Sequence, residues 1–293
     1  MAELNRLLEA AREGGYAVPC FNVFGIEDVQ ALVAAAEAED APVILAVNRE
    51  MVAFAGRQPL ADYLVGVAAE ASVPVCVHLD HCEVVDEVKR AVDAGFPSVM
   101  FDGSQRSLEE NCRCTREVAD YAHAAGAGVE GEIGSVPYRA GSVGREHVQD
   151  RLATVDDAAR FSAESGADAI AVAVGNCHRL IEGHAIIDHE LFAELRDVVA
   201  QPLVIHGASG IRGEDQQRLT RAGAAKFNIG TSIRRVLTDG LREVLAEQPD
   251  LHDRLRLFQA VMPRVEARAR DHFQVLGASG HAVDSISRES ETS

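Results

Sequence analysis

Eight short apolar runs, each closed by a polar residue and followed by an amphipathic stretch of helical period, limit what this chain can fold into more than any other feature. The runs are Ala17–Asn22, Pro42–Asn48, Val73–Asp80, Ser98–Asp102, Ala127–Glu132, Ala169–Val174, Pro202–His206 and Lys226–Ile229. Strands that read as continuous apolar segments are buried on both faces, the mark of a parallel sheet covered by its own crossover helices. Glycines at the ends of intervening helices, as in Asp93-Ala94-Gly95, Ser165-Gly166 and Ala222-Gly223, suit the left-handed cap of an αβ return turn. Eight such units predict a closed (β/α)8 barrel, one domain over residues 1–281. Leu251–Phe273 reads as terminal helices, with Arg264, Arg268 and Arg270 on a solvated face. The polar, Ser-rich tail over residues 282–293 has too few apolar side chains to pack and is expected to be disordered.

In a TIM barrel the chemistry gathers where the strands end. The polar ends here are Asn22, Asn48, Asp80 with His81, Asp102, Glu130 with Glu132, Asn176 with His178, His206 and Asn228. Taken singly, Asn22 or Asn48 reads equally well as a turn former or helix cap. Eight together point to a functional rim. His81, His178 and His206 come from strands 3, 6 and 7, and three imidazoles with an open position suit a catalytic zinc ion. Asp102 and Glu132 fit either an oxygen-rich second cation position or an orienting role behind the histidines. Asp80, beside His81, is placed for general acid/base work and also reads as an N-cap for a helix starting near Glu83. Cys82 and Cys177 flank two of these histidines but read as small apolar residues.

Two small-residue loops follow strands 7 and 8, His206-Gly207-Ala208-Ser209-Gly210 and Asn228-Ile229-Gly230-Thr231-Ser232, the second opening a helix over Ser232–Leu245. Backbone donors there, with a helix N-terminus, form the usual phosphate cradle of this architecture. A formal charge of −18, from 28 Lys plus Arg against 46 Asp plus Glu, argues against nucleic acid and anionic membrane surfaces as partners and for a small substrate. No apolar run approaches the roughly 18 residues of a membrane span. Six cysteines without a C-x2-C pair, and no leader segment, lead us to expect reduced thiols in the cytoplasm.

The motifs Phe21-Asn22-Val23, Val77-His78-Leu79-Asp80-His81, Ser98-Val99-Met100-Phe101-Asp102-Gly103-Ser104, Val129-Glu130-Gly131-Glu132-Ile133-Gly134 and Ala171-Val172-Ala173-Val174-Gly175 with His178, together with the two loops, run through nearly the whole chain. In this order and spacing the chain resembles the class II, zinc-dependent fructose/tagatose-bisphosphate aldolases. The resemblance implies reversible cleavage of a phosphorylated ketose to dihydroxyacetone phosphate and an aldehyde. It implies zinc on His81, His178 and His206, with Asp80 as acid/base and Asp102 and Glu132 lining a position for a second divalent or monovalent cation. It further implies substrate contacts from Gly207, Ala208, Ser209, Asn228, Gly230 and Thr231, joined by Asn22 and Asn48, and a homodimer or homotetramer.

Three departures stand out. The family pattern Gly-Thr-Ala-His-Gly is replaced by Gly175-Asn176-Cys177-His178-Arg179, so that Arg179 either clamps an anionic group of the substrate or excludes the usual pose. The loop Gly134–His147, a lid by its glycine content, carries Tyr138, Arg139 and Ala140 where an acidic pair is usual, with Glu146 several residues later. Asn48 stands where Ser or Thr is common. These changes keep two alternatives open: a metal-dependent epimerase or isomerase of a sugar phosphate on the same barrel, and a non-catalytic aldolase-associated subunit. Retention of all three histidines and Asp80 speaks against the last.

Overall fold

The computed structural model describes residues 3–137, 152–180 and 183–282. Eight parallel strands close into a barrel in chain order, with β1 paired to both β2 and β8. They are β1 (Val18–Asn22), β2 (Val43–Asn48), β3 (Val75–Cys82), β4 (Ser98–Phe101), β5 (Gly128–Ile133), β6 (Ala169–Val172), β7 (Leu203–Ile205) and β8 (Ala224–Ile229). Nearly every strand residue is buried, because the helices cover the outer face and side chains fill the inner one. The sequence expectation holds, with ends moved by a residue or two.

An N-terminal helix, α1 (Leu4–Gly14), buries Leu4, Leu7, Leu8 and Ala11 against β1, β5 and β8. The outer layer follows as α2 (Ile26–Ala38), α3 (Arg49–Ala55), α4 (Arg57–Glu70), α5 (Val85–Asp93), α6 (Leu108–Ala124), α7 (Val155–Glu164), α8 (His189–Val198), α9 (Gly213–Arg221) and α10 (Thr231–Glu247). Ser107, Thr154 and Asp188 cap α6, α7 and α8 by accepting a backbone N–H, which satisfies a donor the helix itself leaves open. Gly95, Gly166 and Gly223 take φ of 94°, 71° and 108°, as the return turns require.

Three local expectations change. The terminal segment is one helix, α11 (Arg254–Val275), packed on α2 and α10, and its Arg264, Arg268 and Arg270 pair with Glu243, Asp271 and Glu39. The helix after β3 starts at Val85 and its N-cap, Val84, contributes no side-chain bond, so Asp80 is not a cap. Strand β3 instead continues through Cys82 with a register shift between Leu79 and Cys82, and His81 takes φ 46°. Strict alternation would send Asp80 and His81 to opposite faces; the irregularity lets both reach the barrel mouth. Tyr138, Arg139, Ala140 and Glu146 of the loop lie outside the described residues, as does the tail from residue 283. No helix among the described residues is long and apolar enough to cross a membrane.

Candidate metal centre and substrate pocket

Residues i and i+2 of a strand share a face. Three strands thereby turn a pair of polar groups inward: His78 with Asp80, Glu130 with Glu132, and Lys226 with Asn228. Lys226 Nζ, completely buried, donates to Glu130 Oε2 at 2.7 Å and to Asn228 Oδ1 at 2.6 Å. With its carbonyl so engaged, Asn228 turns its amide to Asp80 Oδ1 at 2.9 Å, while Asn22 donates to Asp80 Oδ2 at 2.7 Å. Burial would raise the Asp80 pKa, but His81, His206 and Lys226 outweigh it and hold the carboxyl well below its ordinary range. Burial likewise works against Glu130, and Lys226 with His206 prevails.

The other oxygen of Glu130 lies 2.8 Å from His206 Nε2. To bond a carboxylate that nitrogen carries the hydrogen, so Nδ1 presents a lone pair. On β3, His81 Nδ1 lies 2.9 Å from Asp102 Oδ2, which leaves its Nε2 as the lone-pair side by the same logic. His81 Nε2 and His206 Nδ1 then face each other at 2.7 Å, an arrangement that requires a proton or metal ion between them. The third ring, His178, stands 4.7 Å from His81 and 5.5 Å from His206 between centroids, with planes at 78° and 89°. Its backbone N–H is tied to Pro137 O at 2.9 Å. Against the cost of burial, Asp80 and Asp102 push the His81 pKa up to about 10. Burial and the neighbouring His81 push His178 and His206 down.

Among the described residues, two groups have ligand atoms within 4.8 Å of one another, His81 with His178 and His206, and His81 with Asp102 and Glu132. Glu132 Oε1 accepts from Val136 N–H at 3.1 Å, whereas Oε2 is buried with no hydrogen-bond partner among the described residues. Burial and Asp102 push its pKa up to about 8. An unpartnered buried carboxyl oxygen beside a second carboxylate, and converging imidazole lone pairs with carboxylates behind them, fit a divalent cation of nitrogen and oxygen preference. Neither flanking cysteine belongs to these groups: Cys82 Sγ turns to Val84 O and Cys177 Sγ to Pro137 O.

A cavity of about 70 Å³ opens above Asp80, His81 and His178, lined by Asn22, Asn48, Asn228, Gly207, Ser209, Gly230 and Thr231, and by Phe24, Arg179 and Arg234. Asn48 also caps α3, accepting from Met51 N–H. Gly207 has φ 68°, and a Cβ there would stand 2.3 Å from Cys177 O, so the close approach of the two loops needs glycine. Ala208, between Gly207 and Ser209 of the cavity wall, has a buried side chain and a carbonyl that accepts from Gln216. Arg179, at φ 55°, lies 3.8 Å from Glu50 Oε2 and faces both this cavity and an adjoining groove of about 840 Å³.

Sequence reasoning assigned no role to His78, Lys226 or Arg234, and noted Glu130 only as a polar strand end. The period-2 partners of Asp80, Glu132 and Asn228 were the available signal. Arg234 had none, since its place depends on α10. Its guanidinium lies 5.0 Å over the Phe24 ring and has no ion pair among the described residues.

Residues 2–281 match the family described as fructose-bisphosphate aldolase class-II. The chain is 35% identical over 284 residues to 6-phospho-5-dehydro-2-deoxy-D-gluconate aldolase of Shouchella clausii (strain KSM-K16), covering 96% of each. It is 34% identical over 286 residues to a fructose-bisphosphate aldolase of Geobacillus stearothermophilus, covering 97% of this chain and 99% of that one. The crystal structure of the YdjI aldolase from Escherichia coli K12 superposes with a TM-score of 0.83 at 32% identity, over 96% of this chain and 99% of that one.

Proposed function

The chain belongs to the class II fructose-bisphosphate aldolase family and is an aldolase-type lyase, and from that premise we propose that it reversibly cleaves a phosphorylated ketose to dihydroxyacetone phosphate and an aldehyde. The observation that carries this reading is the approach of two imidazole nitrogens, His81 Nε2 and His206 Nδ1, to 2.7 Å, each ring backed by a carboxylate, directly beside an ionised Asp80. His81, His178 and His206 would hold a zinc ion, and Asp102 and Glu132, with His81, a second cation. Bound there, zinc would supply Lewis-acid stabilisation of the charge that develops on the ketose oxygens as the carbon–carbon bond breaks.

The chain's own groups would do the rest. Asp80, ionised and gripped by Asn22 and Asn228, accepts the hydroxyl proton in cleavage and returns it in aldol addition. Gly207, Ser209, Gly230 and Thr231 cradle the phosphate of the dihydroxyacetone half at the N-terminus of α10. Arg179 and Arg234 line the same cavity and would bind an anionic group of the substrate there. Like-charge pressure from Arg179 adds to burial in lowering the Arg234 pKa, which an anion between them would relieve.

Metal analysis of the purified protein, with a cleavage assay over ketose phosphates and bisphosphates with and without chelator, tests this reading. The expected result is chelator-sensitive release of dihydroxyacetone phosphate from at least one member. Stoichiometric metal with no cleavage of any member would move the proposal to isomerisation or epimerisation at the same site.

A further inference from the structure

The terminal helix reaches the loops after β7 and β8 through a histidine. His272, near the end of α11, is only 5% exposed, and its Nε2 lies 3.0 Å from Ser232 Oγ. Ser232 stands in the first turn of α10. Its N–H donates to Ser209 Oγ at 3.0 Å, and the Ser209 hydroxyl points back to Ser232 Oγ at 3.3 Å. Ser209 lines the cavity above Asp80, His81 and His178. An unbroken line of side chains therefore joins the buried side of α11 to the cavity.

We propose that His272 is a positioning residue for the phosphoryl cradle, fixing the Ser232 hydroxyl and, through it, the orientation of Ser209. This rests on the reading that the cradle holds a phosphoryl group. The physical reason is that a serine hydroxyl is a free rotor, and a ligand that must stop the rotor loses affinity. Ser209 Oγ already accepts the Ser232 N–H, one of the donors a helix N-terminus leaves open, so its own hydrogen is the group available to an anion. That hydrogen points to Ser232 Oγ and turns to the anion on binding, while the Ser232 N–H keeps Ser209 Oγ at the cavity wall; His272, bonded to the Ser232 hydroxyl, keeps Ser232 in the geometry that holds it there. Burial, with Arg268 adding to it, pushes the His272 pKa down to about 3, so the ring is neutral. A neutral ring adds no charge to the cradle. The same ring packs edge-on to Phe21, 6.0 Å between centroids, so its packing and its hydrogen bond must be separated experimentally.

His272→Phe keeps a ring of similar volume and removes the hydrogen bond, and His272→Gln keeps an amide within reach of Ser232. The full-length, metal-loaded protein is titrated calorimetrically with inorganic phosphate, with metal content and Tm as controls. The expected result is phosphate affinity about five- to tenfold weaker in His272→Phe, the size of one hydrogen bond, restored to within about twofold in His272→Gln. Ser232→Ala should reproduce the loss, and adding His272→Phe to it should cost nothing further, since both changes cut one line. Wild-type affinity in His272→Phe, or additive losses in the double variant, would overturn the proposal. Should His272→Phe not fold, Ser232→Ala and His272→Gln decide alone: wild-type affinity in Ser232→Ala overturns it. Absence of phosphate binding by the wild type would defeat the cradle reading itself, and is distinguishable because it does not depend on residue 272.

Discussion

At the scale of single residues, the site depends on carboxylates and amides that fix the state of their neighbours. His206 and His81 each point a defined nitrogen inward because Glu130 and Asp102 hold the other one. His178 is placed by the bond from its backbone N–H to Pro137 O. We expect His178→Ala to lose metal and activity together, with activity down by about a thousandfold or more, whereas Arg179→Gly should change substrate preference and leave metal content intact. Full activity in metal-free His178→Ala would end the catalytic-metal reading. Asp28 offers a pH test away from the metal. It is buried in the first turn of α2, accepts Phe24 N–H at 2.9 Å, and burial raises its pKa from the ordinary 3.8 to about 6. A carboxyl whose folded pKa is raised favours folding below the unfolded value and loses that contribution as pH climbs toward 6. Asp28→Asn keeps an acceptor and cannot ionise. Its Tm should match wild type near pH 4 and exceed it by about 2–6 °C at pH 7.5, read by thermal denaturation; equal Tm at both pH values would contradict the burial argument.

At the scale of elements, turns and strand irregularities decide what the periodic pattern leaves open. The bulge in β3 brings two consecutive residues, Asp80 and His81, to one mouth. Alternation alone cannot do this, and nothing in the local sequence announces it. The loop after β7 is similar, since Gly207 must pass within a Cβ's reach of Cys177 O, next to His206 and two residues before Ser209 of the cavity wall. Gly207→Ala should destabilise by about 1–3 kcal/mol from backbone strain alone, with added loss from the 2.3 Å approach, and should weaken phosphate binding. Denaturant unfolding and phosphate titration check both; an unaltered midpoint would show that the loop relaxes freely. The strand ends, return glycines and small-residue loops were legible in the chain because each obeys a local rule. The direction of the Asn48 side chain, shared between capping α3 and lining the cavity, was not.

At the scale of the whole molecule, the barrel closes a network over long sequence distances. Asp80 meets Asn228 148 residues away, and His81 meets His206 125 residues away. Because these contacts exist only in the folded barrel, a metal bound there should stabilise the fold by mass action, by about 2.7 kcal/mol at a hundredfold excess over Kd. Chelator should therefore lower Tm and zinc restore it, and a Tm indifferent to both would count against a metal at this centre. The sequence by itself determined the eight strands, their order and the polar rim, since burial on both faces and period 2 are properties of consecutive residues. It also marked the three histidines, Asp80, Asp102 and Glu132 by their place at strand ends. Only the tertiary structure decided that Lys226 and Glu130 form the buried pair behind them, that Arg234 lies beside Arg179, and that His272 reaches Ser232. Those contacts are set by barrel closure and by where α10 and α11 dock, and no local period encodes which distant side chain stands opposite.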